Sequence, residues 1–245
     1  MSKPHELQPA FVLHRYPYRE TSLLVELFTL QHGRLSVVAR GAHRSRSALP
    51  GLLQPFLPLL VSFRGKGELM TLTHVEIQER AISLQGNCLF AGLYLNELLS
   101  RLLQKGDAHA ALYDRYAETL SVLRTPPLAE KTLRSFEKRL LEALGYGLLF
   151  KQGEEGSQHF LPDQYYCFIP DQGFVQQSAV HVEQSNSFVF LGETLLSIAN
   201  EAWEDEACLA AAKRLTRCVL MPLLGMRPLY SRQLFMIAQE KGITT

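Results

Sequence analysis

Arg34-Leu35-Ser36-Val37-Val38-Ala39-Arg40-Gly41-Ala42-His43-Arg44-Ser45-Arg46-Ser47 decides how the rest of the chain is read. Its first half alternates. Leu35, Val37 and Ala39 share one face of a strand, while Arg34, Ser36, Val38 and Arg40 share the other. One face is therefore built for a core, and the other presents cations beside a basic, glycine-containing loop that holds no acid. That pattern suits a long polyanion, with nucleic acid the leading candidate.

Outward from this strand, residues 7–80 keep period two. Candidate strands are Pro9–Arg15, Leu23–Leu30, Arg34–Arg40, Pro55–Arg64 and Leu69–Ile77. Gln31-His32-Gly33 closes one hairpin and Arg64-Gly65-Lys66-Gly67-Glu68 another. Five short strands without a helical stretch predict a small β-barrel, either an OB-fold, the commonest nucleic-acid-binding architecture of that size, or an SH3-like barrel. From Cys88 the period becomes helical. Leu95, Leu98, Leu99, Leu102 and Leu103 stripe one helix. Ala108–Leu123 forms a second, and Leu133, Phe136, Leu140 and Leu144 mark a third that ends at Gly145 and Gly147. Residues 151–190 lose this period and read as a loop-rich acidic insert with one or two small strands. Helices resume over Leu195–Trp203, Ala207–Met221 (stopped by Pro222) and Ser231–Glu240. The expected class is thus α+β and multidomain, with a barrel in 1–80 and a helical domain in 81–245. No internal repeat or low-complexity tract is present.

The formal net charge of +1 conceals an asymmetry. Basic and acidic residues number ten and six in 1–80, eight and seven in 81–150, one and ten in 151–206, and six and one in 207–245. Counterion release depends on local clustering of cations, so a near-neutral total is compatible with nucleic-acid binding. The longest apolar run, Phe56–Phe63, is too short to span a bilayer, and the first residues lack the apolar core of a secretion signal. Cysteines at 88, 167, 208 and 218 have no short-range pairing pattern. Free thiols in a reducing cytoplasm are expected.

Three groups of residues are candidates for binding. Arg34 and Arg40 would track phosphates, with Arg44 and Arg46 reaching from the loop as a clamp. Lys213, Arg214 and Arg217 lie on one side of their helix, opposite Leu215 and Val219, and form a second candidate phosphate surface. Lys131, Arg134 and Lys138 flank Phe136 and Leu140, an arrangement that would suit an acidic amphipathic peptide. Tyr16, Tyr18 and Phe28 sit in or beside barrel strands and are candidates for stacking on bases. Catalytic patterns are missing. No HExxH, GxSxG, Walker-type loop or CxxC pair occurs, and the consecutive Glu204, Asp205 and Glu206 point about 100° apart on a helix. An RNA-binding adaptor fits the same electrostatics. A metal-dependent nuclease using scattered acids such as Asp163 and Asp171 is the alternative from another class.

Taken in order and spacing, several segments resemble the RecO family of bacterial DNA repair and recombination proteins. They include Ala10-Phe11-Val12-Leu13, Glu20-Thr21-Ser22-Leu23, Ala39-Arg40-Gly41-Ala42 and Gln54-Pro55-Phe56. Gly92-Leu93-Tyr94-Leu95-Asn96-Glu97-Leu98-Leu99, Leu144-Gly145-Tyr146-Gly147, Arg227-Pro228-Leu229 and Ser231-Arg232-Gln233-Leu234-Phe235 continue the match. The resemblance implies an N-terminal OB-fold, a helical domain, and a nucleoid-associated mediator of recombinational repair that works without enzymatic turnover or a cofactor. It implies binding of single- and double-stranded DNA, strand annealing, partnership with RecR, and help in loading RecA onto DNA coated by single-strand-binding protein. Recognition of that protein's acidic C-terminal tail is also implied. Many relatives carry a four-cysteine zinc module where this chain has residues 151–185. Here only Cys167 remains, and His159 and His181 bring the donors to three at most, short of the four a structural zinc needs. No zinc is expected.

Overall fold

A computed structural model describes residues 7–44, 47–147, 159–170, 172–177, 188–203 and 205–241. By packing, the chain forms two compact units, 1–128 with 228–245, and 129–227. The change from strand to helix falls earlier, after Ile77.

The first unit begins with a closed five-stranded barrel of order β1-β2-β3-β5-β4, as an OB-fold requires. The strands are β1 (Gln8–Tyr18), β2 (Ser22–Thr29), β3 (Gly33–Ala39), β4 (Leu59–Arg64) and β5 (Leu69–Ile77). β3 and β5 pair in parallel, which closes the Greek key, and the other pairings are antiparallel. Alternation fills the interior as expected, because Leu35, Val37 and Ala39 join Leu23, Val25, Leu27, Val61 and Phe63 in one buried cluster. A four-residue helix, α1 (Leu49–Leu52), and the residues after it add Leu53 and Leu57. Arg15 holds α1 in place by donating to the Pro50 and Leu53 carbonyls at 2.7 and 3.3 Å. β4 starts at Leu59, later than the expected Pro55. Pro58, immediately before it, has no N–H to give a ladder.

The register of β1 shifts between Val12 and His14, so Leu13 is an extra residue. This bulge inverts the alternation. Ala10 and Val12 point into the core, whereas His14 and Tyr16, of the same parity, stand opposite the outward-facing Glu26 and Leu24. α2 (Gly86–Leu102) and α3 (Ala110–Leu123) cover part of this outer face. Phe11 and Phe28 are buried there against Tyr113 and Tyr116, with ring centroids 5.1–6.1 Å apart. Asn96 of α2 donates to the Val12 and Leu13 carbonyls at 3.4 and 3.2 Å, and accepts from the Tyr116 hydroxyl. α7 (Tyr230–Glu240) packs on α2. Its first turn is capped by Glu97, which accepts from the Tyr230 and Ser231 amides at 3.0 and 2.9 Å.

The second unit pairs α4 (Glu130–Leu141) with α6 (Glu206–Leu224). α4 gives way to a wider turn and the helical conformation breaks at Gly145, whose φ is 93°. α6 does not stop at Pro222. It continues to Leu224 and ends at Gly225, because a proline so near the C-terminus removes little of the hydrogen-bond ladder. The acidic segment contains a three-stranded sheet of β6 (Tyr165–Ile169), β7 (Gly173–Gln177) and β8 (Val189–Leu191), followed by α5 (Gly192–Ala199). Phe160, Tyr166, Phe168, Phe174 and Phe190 meet edge to face beneath it, giving this segment an aromatic core of its own. Among the described residues, no helix is long and apolar enough to cross a membrane.

Candidate nucleic-acid interface

β3 delivers Arg40 to the barrel surface and the chain turns at Gly41, where φ is +70°. Ala42 is fully buried, and the His43 amide donates to the Thr21 carbonyl at 3.0 Å, so the base of the basic loop is anchored to the β1–β2 turn. Arg44 folds back over Gly41, its amide donating to the Gly41 carbonyl at 3.1 Å. Arg40, Gly41 and Arg44, with Tyr18, Arg19, Glu20 and Thr71, line an open cleft of about 980 Å³. Arg40 and Thr71 also line a second depression of about 540 Å³, which reaches Arg64. Register explains the continuity, since Thr71 lies opposite both Val38 and Arg64. Arg44, Arg40 and Arg64 are all exposed. Among the described residues no carboxylate forms an ion pair with any of the three; Glu20 lines the same cleft, where it stands against Arg19, Arg40 and Arg44, so the balance of charge there is positive.

Arg64 and Arg19 belong to this surface but are not among the expected site residues. Alternation alone places Arg64 outward, given that Leu59, Val61 and Phe63 are core. Arg19 follows from no pattern; its guanidinium lies 5.3 Å from the Tyr18 ring centroid. Arg34 does not join the track. Its Nε lies 3.9 Å from the Glu26 carboxylate, its side chain is only 17% exposed, and Glu26 also accepts from the Ser36 hydroxyl. Arg46 lies outside the described residues.

Family models match both parts of the chain: Recombination protein O N terminal over residues 1–80 and Recombination protein O C terminal over 84–233. Proteins named DNA repair protein RecO are similar along most of their length. The one from Thiobacillus denitrificans is 44% identical over 236 residues, 93% of this chain and 90% of the relative. Those from Actinobacillus pleuropneumoniae and Coxiella burnetii are each 43% identical, covering 92% and 99% of the relatives. The chain belongs to the RecO family. Its field is therefore DNA repair and recombination, and the OB-type barrel is the part matched by the family's N-terminal model.

The other two expected surfaces of this RecO-family chain are altered by packing. Phe136 and Leu140 are fully buried between helices and leave no groove. Arg134 is 6% exposed, pairs with the buried Glu137 and donates to Thr216 at 3.2 Å. Lys138 donates to the Ala199 carbonyl at 2.5 Å and pairs with Glu201 at 3.4 Å. Only Lys131 of that group is exposed. The amphipathic face of α4 is thus an interior surface covered by α6, and the expected peptide groove is corrected accordingly. On α6, Lys213 pairs with Glu130 at 3.1 Å. Arg214 donates to the Val189 carbonyl at 2.9 Å and lies over the Phe190 ring at 4.6 Å. Arg217 remains as an exposed cation. Arg214 is exposed as well, so of the three expected cations only Lys213 is paired with a carboxylate among the described residues.

Phe28 is removed as a stacking candidate by its burial, while Tyr16 is 45% exposed. Among the described residues no three His, Cys, Asp or Glu side chains are grouped to hold a metal. The donors on hand do not fit a structural zinc, which needs four nitrogen or sulfur ligands. His181 and Asp171 lie outside the described residues, and Asp163 is exposed on a turn.

Proposed function

We propose that this protein is a recombination mediator that holds DNA by its phosphates along the Arg44–Arg40–Arg64 track of the barrel. It binds single- and double-stranded DNA and brings complementary strands together. Neutralising the repulsion between two phosphate backbones lowers the barrier to pairing, and the bases supply the specificity. With RecR, it helps to load RecA onto DNA coated by single-strand-binding protein, whose acidic tail it recognises. It acts without catalytic turnover. The α4 face is left out of this reading because its cations are already paired internally.

The observation that carries the proposal is the set of exposed arginines on one barrel face, none of them held in an ion pair among the described residues. Changing Arg40, Arg44 and Arg64 to Ala tests it in a salt titration with a single-stranded oligonucleotide. Each phosphate left without its arginine flattens the slope of log affinity against log salt by about 0.7, so the triple variant should lose about two units. Affinity should fall alike for all base sequences, and annealing of complementary strands should slow with it. An unchanged slope and annealing rate would overturn the proposal.

A further inference from the structure

We infer that His14, Tyr16 and Tyr18, aligned on the outer face of β1, form a stacking platform for unpaired nucleobases, which makes single-stranded nucleic acid the preferred ligand of the arginine cleft. The inference rests on the phosphate-binding reading of that cleft.

The bulge at Leu13 turns this row outward, and bulges commonly re-aim side chains beside functional sites. His14 and Tyr16 are already stacked on each other, with centroids 4.2 Å apart and planes 4° from parallel. The His14 ring is held in that orientation through Nδ1, which lies 2.9 Å from the Arg15 carbonyl. The pair is therefore preorganised while still exposed. Other aromatics on the same outer face, Phe11 and Phe28, are sealed beneath α3. The His14–Tyr16 end carries no such cover and presents a flat π-surface to solvent.

Two features assign it a base. Tyr18, next in the row, lines the arginine cleft, so the platform runs into the phosphate track. Tyr16 is also opposite Leu24 and Leu24 opposite Val38, another cleft residue, which separates platform and cleft by two strand spacings, about 10 Å. The nearby acids are engaged elsewhere. Glu26 is bonded to Ser36 and paired with Arg34, and Glu97 caps α7 and pairs with Arg101. Glu20, exposed on the β1–β2 turn, is the acid that lines the cleft itself, so a strand whose phosphates follow Arg40 and Arg44 past it can lay a base on the platform. Bases inside a duplex are stacked on each other and offer no face. Stacking on aromatics is sequence-tolerant, which suits a protein that must act on any sequence.

The test compares a thymidine oligonucleotide, an abasic oligonucleotide of the same length and charge, and a duplex, each titrated by fluorescence anisotropy against the native protein and the His14→Ala, Tyr16→Ala variant. Native protein should prefer the thymidine strand over the abasic strand by about tenfold. The variant should bind the thymidine strand as weakly as the abasic one, with abasic and duplex binding unchanged. A His14→Phe, Tyr16→Phe variant should retain the preference. Equal native affinity for thymidine and abasic strands would overturn the platform while sparing the phosphate track, as would a His14→Ala, Tyr16→Ala variant that keeps the tenfold preference or loses all three ligands alike. If native protein bound none of the three, both readings would fall.

Discussion

Asn96→Ala should weaken the protein by about 2–4 kcal/mol, out of the 5–15 kcal/mol typical of a folded domain. Asn96 is 3% exposed and Tyr116 fully buried, so water does not replace what the substitution removes. The Tyr116 hydroxyl loses its acceptor, and the Val12 and Leu13 carbonyls lose the donor that serves the bulge. Burial, with a smaller contribution from Tyr113, pushes the Tyr116 phenol far above its ordinary pKa, so it remains a neutral donor at any working pH. One orphaned buried hydroxyl costs about 1–3 kcal/mol, and the missing bond at the bulge adds about 1 kcal/mol. A double-mutant cycle in urea isolates the network. Tyr116→Phe alone strands the Asn96 oxygen, whereas the double variant removes both partners, so its cost should fall short of the sum by about 1–2 kcal/mol. Native-state hydrogen exchange should show the loss concentrated in β1. A cost below about 0.5 kcal/mol for Asn96→Ala, or strictly additive costs, would refute the claim that this side chain secures the bulge.

Three further outcomes follow from the packing. Arg134→Ala should destabilise by about 3–5 kcal/mol, because it breaks a buried ion pair with Glu137 and takes away the donor to Thr216; a urea-measured cost under about 1 kcal/mol would mean that the pair is solvated. Gly92→Ala should cost about 1–3 kcal/mol by overpacking, since a Cβ there would stand 2.6 Å from the Leu84 side chain and 2.9 Å from the Phe56 ring; a melting temperature equal to native would contradict it. Burial pushes the Glu201 carboxyl up, but the Ser135 hydroxyl, Lys138 and Arg139 outweigh it and hold its pKa below the ordinary value. A depressed carboxylate stabilises the fold above its unfolded pKa of about 4.3, and that contribution is lost as pH falls through the folded value. Glu201→Gln should therefore be less stable than native at pH near 7 and should narrow the gap at pH near 3; parallel stability curves for the two proteins would refute this.

How much of this was legible in the sequence depends on whether the determining interaction is local. Alternation and turn residues mark the barrel because both act within a few positions; Leu69–Ile77 is a strand with the bounds its pattern suggests. Arg40 follows from the same parity, and Arg44 from the acid-free basic loop that continues it. The α4 stripe shows the limit of such reasoning. Its period correctly says that Leu133, Phe136 and Leu140 face something apolar, but their cover is α6, some eighty residues along the chain, so an interior surface and an open groove look alike in sequence. Arg34 fails for the same reason: its parity is right, yet Glu26 lies across the sheet and claims it. Lys213 and Arg214 likewise meet their partners, Glu130 and Val189, only in the folded chain.

The bulge at Leu13 is the least legible feature and the one on which most of the surface depends. Nothing in Ala10-Phe11-Val12-Leu13-His14-Arg15-Tyr16 announces an extra residue, and strict alternation would place His14 and Tyr16 on the side of Ala10 and Val12, inside the barrel. What fixes the inversion is Asn96, a buried polar residue of α2, whose side chain supplies the donor that the displaced strand carbonyls need. The same inversion sends Arg15 toward α1, whose Leu49 and Leu52 line the second depression. A strand without the extra residue would bury two rings too large for a filled barrel and expose Arg15 instead. Maintaining the bulge is thus a condition both for closing the core and for presenting an aromatic row beside the arginines, which ties a buried helix residue to the character of the barrel face proposed to bind DNA.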